Sequence, residues 1–326
     1  MKIPRYSAKL ACCIVLAASV SISTYAVAQQ FPSKPIHIIV PLGAASSTDI
    51  SARLLAASIT EETGQSVVVE NRTGAEGAIG VKSVAMAAAD GYTVLLSTSS
   101  TQVINTHLYK NLPYDPIKDF VAVTPLFTVP LVLWVNSDAP LNSVNDVLRR
   151  AKQEPGKLTF GSSTATMRLS GEMFKQRAGV QMTNVPYRST VAALTDLVAG
   201  RIDVVFTDAA SASAHVAGKR VRPLAAMVNS RMSSLPELPT IAETGVQGYN
   251  LTVFFGVWVP ANTPAPIVAK LNSLFANAMK SPRLREMLTK SGAEAMAMSP
   301  EEFSKFQISE IEKLRPVVKA AGIEMQ

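Results

Sequence analysis

"IHIIVPLGAASSTDISARL", Ile36 to Leu54, sets the fold class. Ile36–Val40 is an apolar, β-branched run of strand length. Pro41 and Gly43 end it. Two alanines and three hydroxyls follow, at Ser46, Ser47 and Thr48. After Asp49, "ISARLLAASI" has helical character. A strand that turns through small and hydroxyl residues into a helix is the start of a βα unit.

The alternation continues along the chain. "SVVVE" leads through "NRTGAEGAIG" to the helical "VKSVAMAAA", and "YTVLLST" follows. After Pro130, "LVLWV" begins a second series. Its strand candidates are "KLTFGSS", "NVPY", "IDVVFTD" and "VRPLAAM", separated by the helical "RLSGEMFKQRAG", "TVAALTDLVAG" and "ASAHVAG". Gly179, Gly200 and Gly218 fall where helix C-termini take glycine. "FFGVWVP" reads as a buried strand. The tail is helical, in three segments that each begin near a proline. The expectation is an α/β fold with largely parallel sheets and no repeats.

The first 28 residues are read as a secretory leader. Lys2, Arg5 and Lys9 precede an apolar run, and "AVA" precedes Gln29. Cleavage after Ala28 removes both cysteines, so no disulfide or cysteine metal ligand is expected. It also removes three of the cations behind a net charge of +7. The mild, scattered excess that remains excludes the clustered basic surface of a nucleic-acid binder. The remaining chain is long enough for two lobes. The expected boundaries are 29–129 for the first part of lobe 1, 130–253 for lobe 2 and 254–326 for the second part of lobe 1. Strands near Val129–Val135 and Phe254–Val259 would cross between them.

Four strand ends carry hydroxyl-rich loops: "PLGAASSTD", "STSSTQ", "GSSTATMR" and "VPYRST". Each precedes an expected helix. Helix N-termini offer unpaired N–H groups and partial positive charge, and small side chains let them approach an anion closely. In α/β sheets ligands sit at the carboxyl ends of strands. The candidate ligand-binding residues are Ala45, Ser46, Ser47, Thr48, Asp49, Ser99, Thr101, Ser162, Ser163, Thr164, Thr166, Arg168, Thr190 and Asp208. Ordinary helix capping is the competing account of each loop. Catalysis finds little support. There is no G-x-S-x-G elbow and no P-loop, and His37, His107 and His215 are far apart in the chain. Gly74, Gly77 and Gly80 have the wrong spacing for a dinucleotide loop, and Glu76 would repel a pyrophosphate. No cofactor and no metal are expected.

Several ordered segments carry a resemblance: "VVVENRTGAEGAIG", "AAADGYTVLLSTSSTQVIN", "LPYDPIKDFVAVT", "VPYRSTVAALTDLVAGRIDVVF", "LPELPTIAETGVQGY" and "FFGVWVPANTPAPIVAKLN". With them the chain resembles the extracytoplasmic solute receptors of the tripartite tricarboxylate transporter system, the Bug family. The resemblance implies a two-lobed periplasmic binding protein, type II-like, with its ligand in the interlobe cleft. It implies a carboxylate held by the loops after the first strand and after "KLTFGS", and delivery to membrane transporter subunits. The expected ligand is a small mono- or dicarboxylate, and a monomer is expected. A secreted α/β enzyme acting on a small anion, or an orphan receptor signalling to a sensor protein, are the alternatives. The chain departs from the family pattern on its ligand loops. Ala45-Ser46 replaces a glycine pair, Arg168 stands where the family tends to place histidine, and Ser189 replaces the glycine of "VPYRG". Thr207-Asp208 also departs from the usual pattern after "VVF". Arg168 is the candidate clamp for a ligand carboxylate. Arg168→Ala is expected to weaken the ligand without changing the melting point of the unliganded protein.

Overall fold

The computed structural model describes residues 31–320, 322, 323 and 325. The expected leader and its cleavage site lie outside the described residues. From Lys34 onward the chain forms two β-sheets with helices around them.

In the first sheet β1 (Ile36–Val40) lies between β2 (Val67–Asn71) and β3 (Thr93–Thr98), parallel to both. That central position explains its nearly continuous apolar sequence, since both faces are covered. β4 (Phe120–Pro130), β10 (Thr252–Pro260) and β11 (Glu294–Ala295) complete the order β11-β4-β10-β3-β1-β2, with antiparallel pairing. The second sheet comprises β5 (Val132–Asn136), β6 (Thr159–Ser162), β7 (Thr183–Pro186), β8 (Val204–Thr207) and β9 (Val221–Ala226), ordered β7-β6-β8-β5-β9. β6 is parallel to β7 and β8, whereas β5 is antiparallel to β8 and β9.

Both sheets are therefore mixed, not largely parallel. The antiparallel members of the pattern centre on β4, β5 and β10. β4 passes the chain into the second sheet with only Leu131 between it and β5, and β10 returns to the first. No crossover helix connects β4 to β5, so the parallel arrangement of a βα unit is not imposed there. β4 overlaps the expected strand near Val129–Val135 only at Val129 and Pro130, and proline inside it is unusual for a strand. The structure accommodates Pro125 at a bulge. Phe255 faces Phe127 and Gly256 faces Pro125, which leaves Leu126 as the extra residue.

The helices are α1 (Ser47–Thr63), α2 (Ala78–Ala85), α3 (Asn105–Leu108), α4 (Val144–Gln153), α5 (Ala165–Ala178), α6 (Thr190–Val198), α7 (Ala209–Ala217), α8 (Ala265–Ala278), α9 (Pro282–Ser291) and α10 (Pro300–Ala320). One device starts α1, α5, α6 and α7 alike. The side chains of Ser46, Thr164, Ser189 and Asp208 accept hydrogen bonds from the backbone N–H groups of Asp49, Met167, Ala192 and Ser211. Each satisfies one of the orphan donors of its first turn, and losing such a cap costs about 1 kcal/mol. The "STSSTQ" loop behaves differently. It passes into a π-helical turn, Ser100–Ile104, with no side-chain cap. Gly179 closes α5 with φ 63, whereas Gly218 has φ −80 and Lys219 takes the left-handed position with φ 53.

Candidate functional site

Two adjoining cavities lie between the sheets, sharing Leu42 and Thr190 as lining residues. The inner one holds only about 40 Å³. The outer one measures about 350 Å³, at the small end of ligand pockets. Residues at the carboxyl ends of β1, β6, β7 and β8 line them, at the N-termini of α1, α5, α6 and α7. This convergence is a consequence of βα geometry, which delivers every strand end and following helix start to the same edge.

The inner cavity gathers Ser46, Ser47, Thr48, Thr164, Thr166, Thr190 and Asp208. Its groups already serve structure. The Ser47 hydroxyl donates to Asp208 Oδ2 at 3.0 Å, and the Ser47 N–H donates to Ser211 Oγ at 3.2 Å. The Thr166 N–H donates to Ser100 Oγ at 3.4 Å. These bonds tie the first-sheet side to the second-sheet side. Thr166 Oγ1 is buried and has no protein partner. Gly43 permits the same closure sterically: a Cβ there would lie 2.7 Å from Ser189 Cβ.

The outer cavity contains Ser163, Arg168 and Thr190 from the candidate set. The Ser163 and Thr190 hydroxyls are 2.9 Å apart and share a hydrogen bond. Arg168 is 6% exposed, and its Nη2 donates to Glu76 Oε2 at 3.2 Å. The guanidinium therefore already has one carboxylate partner, and it is not solvent-facing. The Tyr109 hydroxyl donates to the same Glu76 oxygen at 3.1 Å, and the Arg168 guanidinium lies 5.9 Å from the Tyr109 ring centroid. Burial raises the Glu76 pKa above its ordinary value of 4.5, against the opposing pull of Arg168 and Tyr109. Burial and the Glu76 charge push Tyr109 up to about 12.

Ala45, Asp49, Ser99, Thr101 and Ser162 line neither cavity. Ala45 is exposed with φ 60, and its N–H donates to Asp49 Oδ2 at 2.9 Å. Asp49 turns back on its own loop and pairs with Arg53 at 3.0 Å. Burial works to raise its pKa, but hydrogen bonds from Arg53, Ala45 and Asn71 hold it below its ordinary value of 3.8. Thr101 is fully buried, sharing a hydrogen bond with Ser97 at 2.7 Å. Ser99 borders a separate cavity of about 440 Å³ beside α10. Ser162 acts through another residue: its hydroxyl donates to Asn184 Oδ1 at 2.7 Å, and Asn184 lines the outer cavity.

The candidate set lacks Gly43, Glu76, Tyr109, Asn184, Tyr187 and Arg188, all of which line the outer cavity. One local signal points to Glu76. It lies in a run where Gly74, Ala75, Glu76 and Gly77 all have positive φ, at 127°, 47°, 49° and 92°. Non-glycine residues in that region cost of order ~1–3 kcal/mol each, and such strain concentrates at ligand clamps and switches. Tyr109 carries no sequence signal.

None of the three histidines, and no lysine among the described residues, lines either cavity, so a hydroxyl there has no adjacent imidazole or amine base among those residues. Among the described residues no group of three or more His, Cys, Asp or Glu is arranged to hold a metal ion. Among them, too, no helix is long and apolar enough to cross a membrane.

The family model for the tripartite tricarboxylate transporter family receptor matches residues 51–323. A Pseudomonas sp. relative, the UPF0065 protein in the tcbD-tcbE intergenic region, is 35% identical over 291 residues, covering 88% of this chain and 86% of its own length. The R. palustris protein Rpa4515, solved with adipate, is 36% identical and superposes with a TM-score of 0.87, covering 91% of this chain and all (100%) of its own. MatC from Rhodopseudomonas palustris, solved with bound malate, is 28% identical with a TM-score of 0.84, covering 88% of this chain and 100% of its own.

Proposed function

The chain belongs to the tripartite tricarboxylate transporter receptor family, and from that premise we propose that it binds a small carboxylate in the cleft between its two sheets and releases it unchanged. The observation that carries this reading is the convergence of four helix N-termini on two adjoining cavities. First-turn N–H groups and the helix dipoles favour an anion there. The hydroxyls of Ser163 and Thr190 add donors at the junction with the outer cavity. The outer cavity accommodates the rest of the ligand against Pro41, Leu42, Pro186 and Tyr187. The adipate and malate of the two structural neighbours support the ligand class. We further place the mature protein in the periplasm, starting at Gln29, as a monomer that delivers its ligand to transporter subunits.

A thermal-shift screen over aliphatic and aromatic carboxylates tests the reading. Saturation at a hundred times Kd stabilises by about 2.7 kcal/mol, which raises the melting temperature by roughly 5–10 °C. The bound acid should be recovered chemically intact. Shifts with amines or sugars and none with carboxylates would reverse the assignment.

A further inference from the structure

The outer cavity already contains a carboxylate of its own. Glu76 comes from the turn after β2 and Arg168 from the first turn of α5, so their ion pair spans the cleft. The strained backbone that presents Glu76 is a conformation glycine adopts freely, yet a charged side chain occupies it. Tyr109 fixes that side chain by a second hydrogen bond to the same oxygen. Arg168 is the buried cation of the cavity, and its Nε is buried without a partner. Its charge, however, is balanced by Glu76. The other cation lining the cavity, Arg188, is exposed, where water and salt weaken its field.

We propose that the Glu76–Arg168 pair is the specificity element of this cleft, an internal carboxylate occupying the buried arginine so that the receptor selects monocarboxylates with uncharged tails over dicarboxylates. This rests on the reading that the ligand carboxylate sits at the helix N-termini of the same cleft. A second carboxylate at the far wall has two options there. It can displace Glu76 from Arg168, which leaves a carboxylate buried and unpaired, or it can lie beside Glu76 and be repelled by it. An uncharged tail meets neither penalty and packs against Leu42, Pro186 and Tyr187. Arg168 thus acts on selection through Glu76: with the pair intact the far wall is neutral, and with Glu76 neutralised it becomes cationic.

The test uses the mature protein, stripped of ligand by unfolding and refolding, in calorimetric titrations with hexanoate and adipate. These acids share a chain length and differ in the terminal carboxylate. The wild-type protein should bind hexanoate at least about tenfold more tightly than adipate, a difference of about 1.4 kcal/mol. Glu76→Gln, which keeps the side-chain shape, should tighten adipate by about tenfold and leave hexanoate within about threefold. The double variant Glu76→Gln, Arg168→Gln should lose that gain, because the cation that received the second carboxylate is gone. Equal or tighter wild-type binding of adipate overturns the inference and leaves the carboxylate receptor standing. So does a natively folded Glu76→Gln with an unchanged ratio. If Glu76→Gln does not fold, the wild-type ratio decides, together with the same ratio for benzoate and terephthalate. Binding of neither acid in either pair removes the carboxylate reading itself, and this inference with it.

Discussion

The two cavities of the cleft are built by opposite means. In the inner one, small side chains cap the helix starts over three residues of chain, and single hydroxyl and N–H donors tie the two sides together, as those of Ser47 do with Asp208 and Ser211. In the outer one, Glu76, Tyr109 and Arg168 meet across 92 residues of sequence, and charge holds them together. The inner cavity is a set of modest hydrogen bonds, any of which can be lost at small cost. The outer wall is a buried ion pair in which either partner alone is a liability. The comparison teaches where selectivity between ligands resides: in the wall whose balance of charge changes with one residue.

The sharpest way to break the comparison is Arg168→Ala. Loss of one partner from a buried pair leaves Glu76 uncompensated and costs about 3 kcal/mol. The melting temperature of the unliganded protein should then fall by about 6–12 °C, as differential scanning calorimetry would register. The sequence alone suggests no change in melting, because nothing in it shows that Arg168 is buried against an acid. An unchanged melting temperature would mean that the pair adds nothing to stability and would dissolve the distinction between the walls.

Gly43→Ala probes closure. The added Cβ would meet Ser189 Cβ at 2.7 Å, so the two sides of the cleft must separate or the backbone must shift. Overpacking of this kind costs about 1–3 kcal/mol. Because the strain acts on the closed cleft, calorimetry should show carboxylate affinity falling by about tenfold or more. Unaltered affinity would mean that ligand binding does not need this approach.

The alternation of strands and helices was legible because it is local. "IHIIV", "KLTFGSS" and "IDVVFTD" each became strands, and their hydroxyl loops became caps. β4 was not legible, since the bulge that admits Pro125 depends on its pairing with β10. Nor was the π-helical turn at Ser100–Ile104, which moved Ser99 to another cavity and buried Thr101. In the site, the capping hydroxyls could be picked from the sequence, but Glu76 and Tyr109 could not. Their roles arise from long-range packing, and the only local trace is backbone strain at Glu76. Ser47→Ala isolates one of the inner contacts. It removes a hydrogen bond to Asp208, which keeps Ser211 as a partner. The expected loss is about 0.5–1.5 kcal/mol by urea denaturation, well below that of Arg168→Ala. A loss as large as that of Arg168→Ala would show that the inner wall is not a set of separable bonds.

The smallest effect separates the two loops by acid titration. Asp49 is a buried and Glu76 a half-buried carboxylate, each paired with an arginine, yet their pKa values move in opposite directions. Asp49 is held below 3.8, so its native proton affinity is weaker than in the unfolded chain. Its contribution to stability is present above pH 3.8 and is lost as pH falls through its native pKa. Glu76 is raised above 4.5, so its native proton affinity is stronger. Its contribution is fully present below pH 4.5 and is lost as pH rises through its native pKa. Acidification through that upper window should therefore protonate Glu76 first and weaken its hold on Arg168 while Asp49 still holds Arg53. Carboxyl carbon NMR shifts, assigned with Glu76→Gln and Asp49→Asn, should show one titration above 4.5 and the other below 3.8. If Glu76 titrated below 4.5, the Arg168 charge would outweigh burial, and the outer wall would be as firmly ionised as the loop of Asp49.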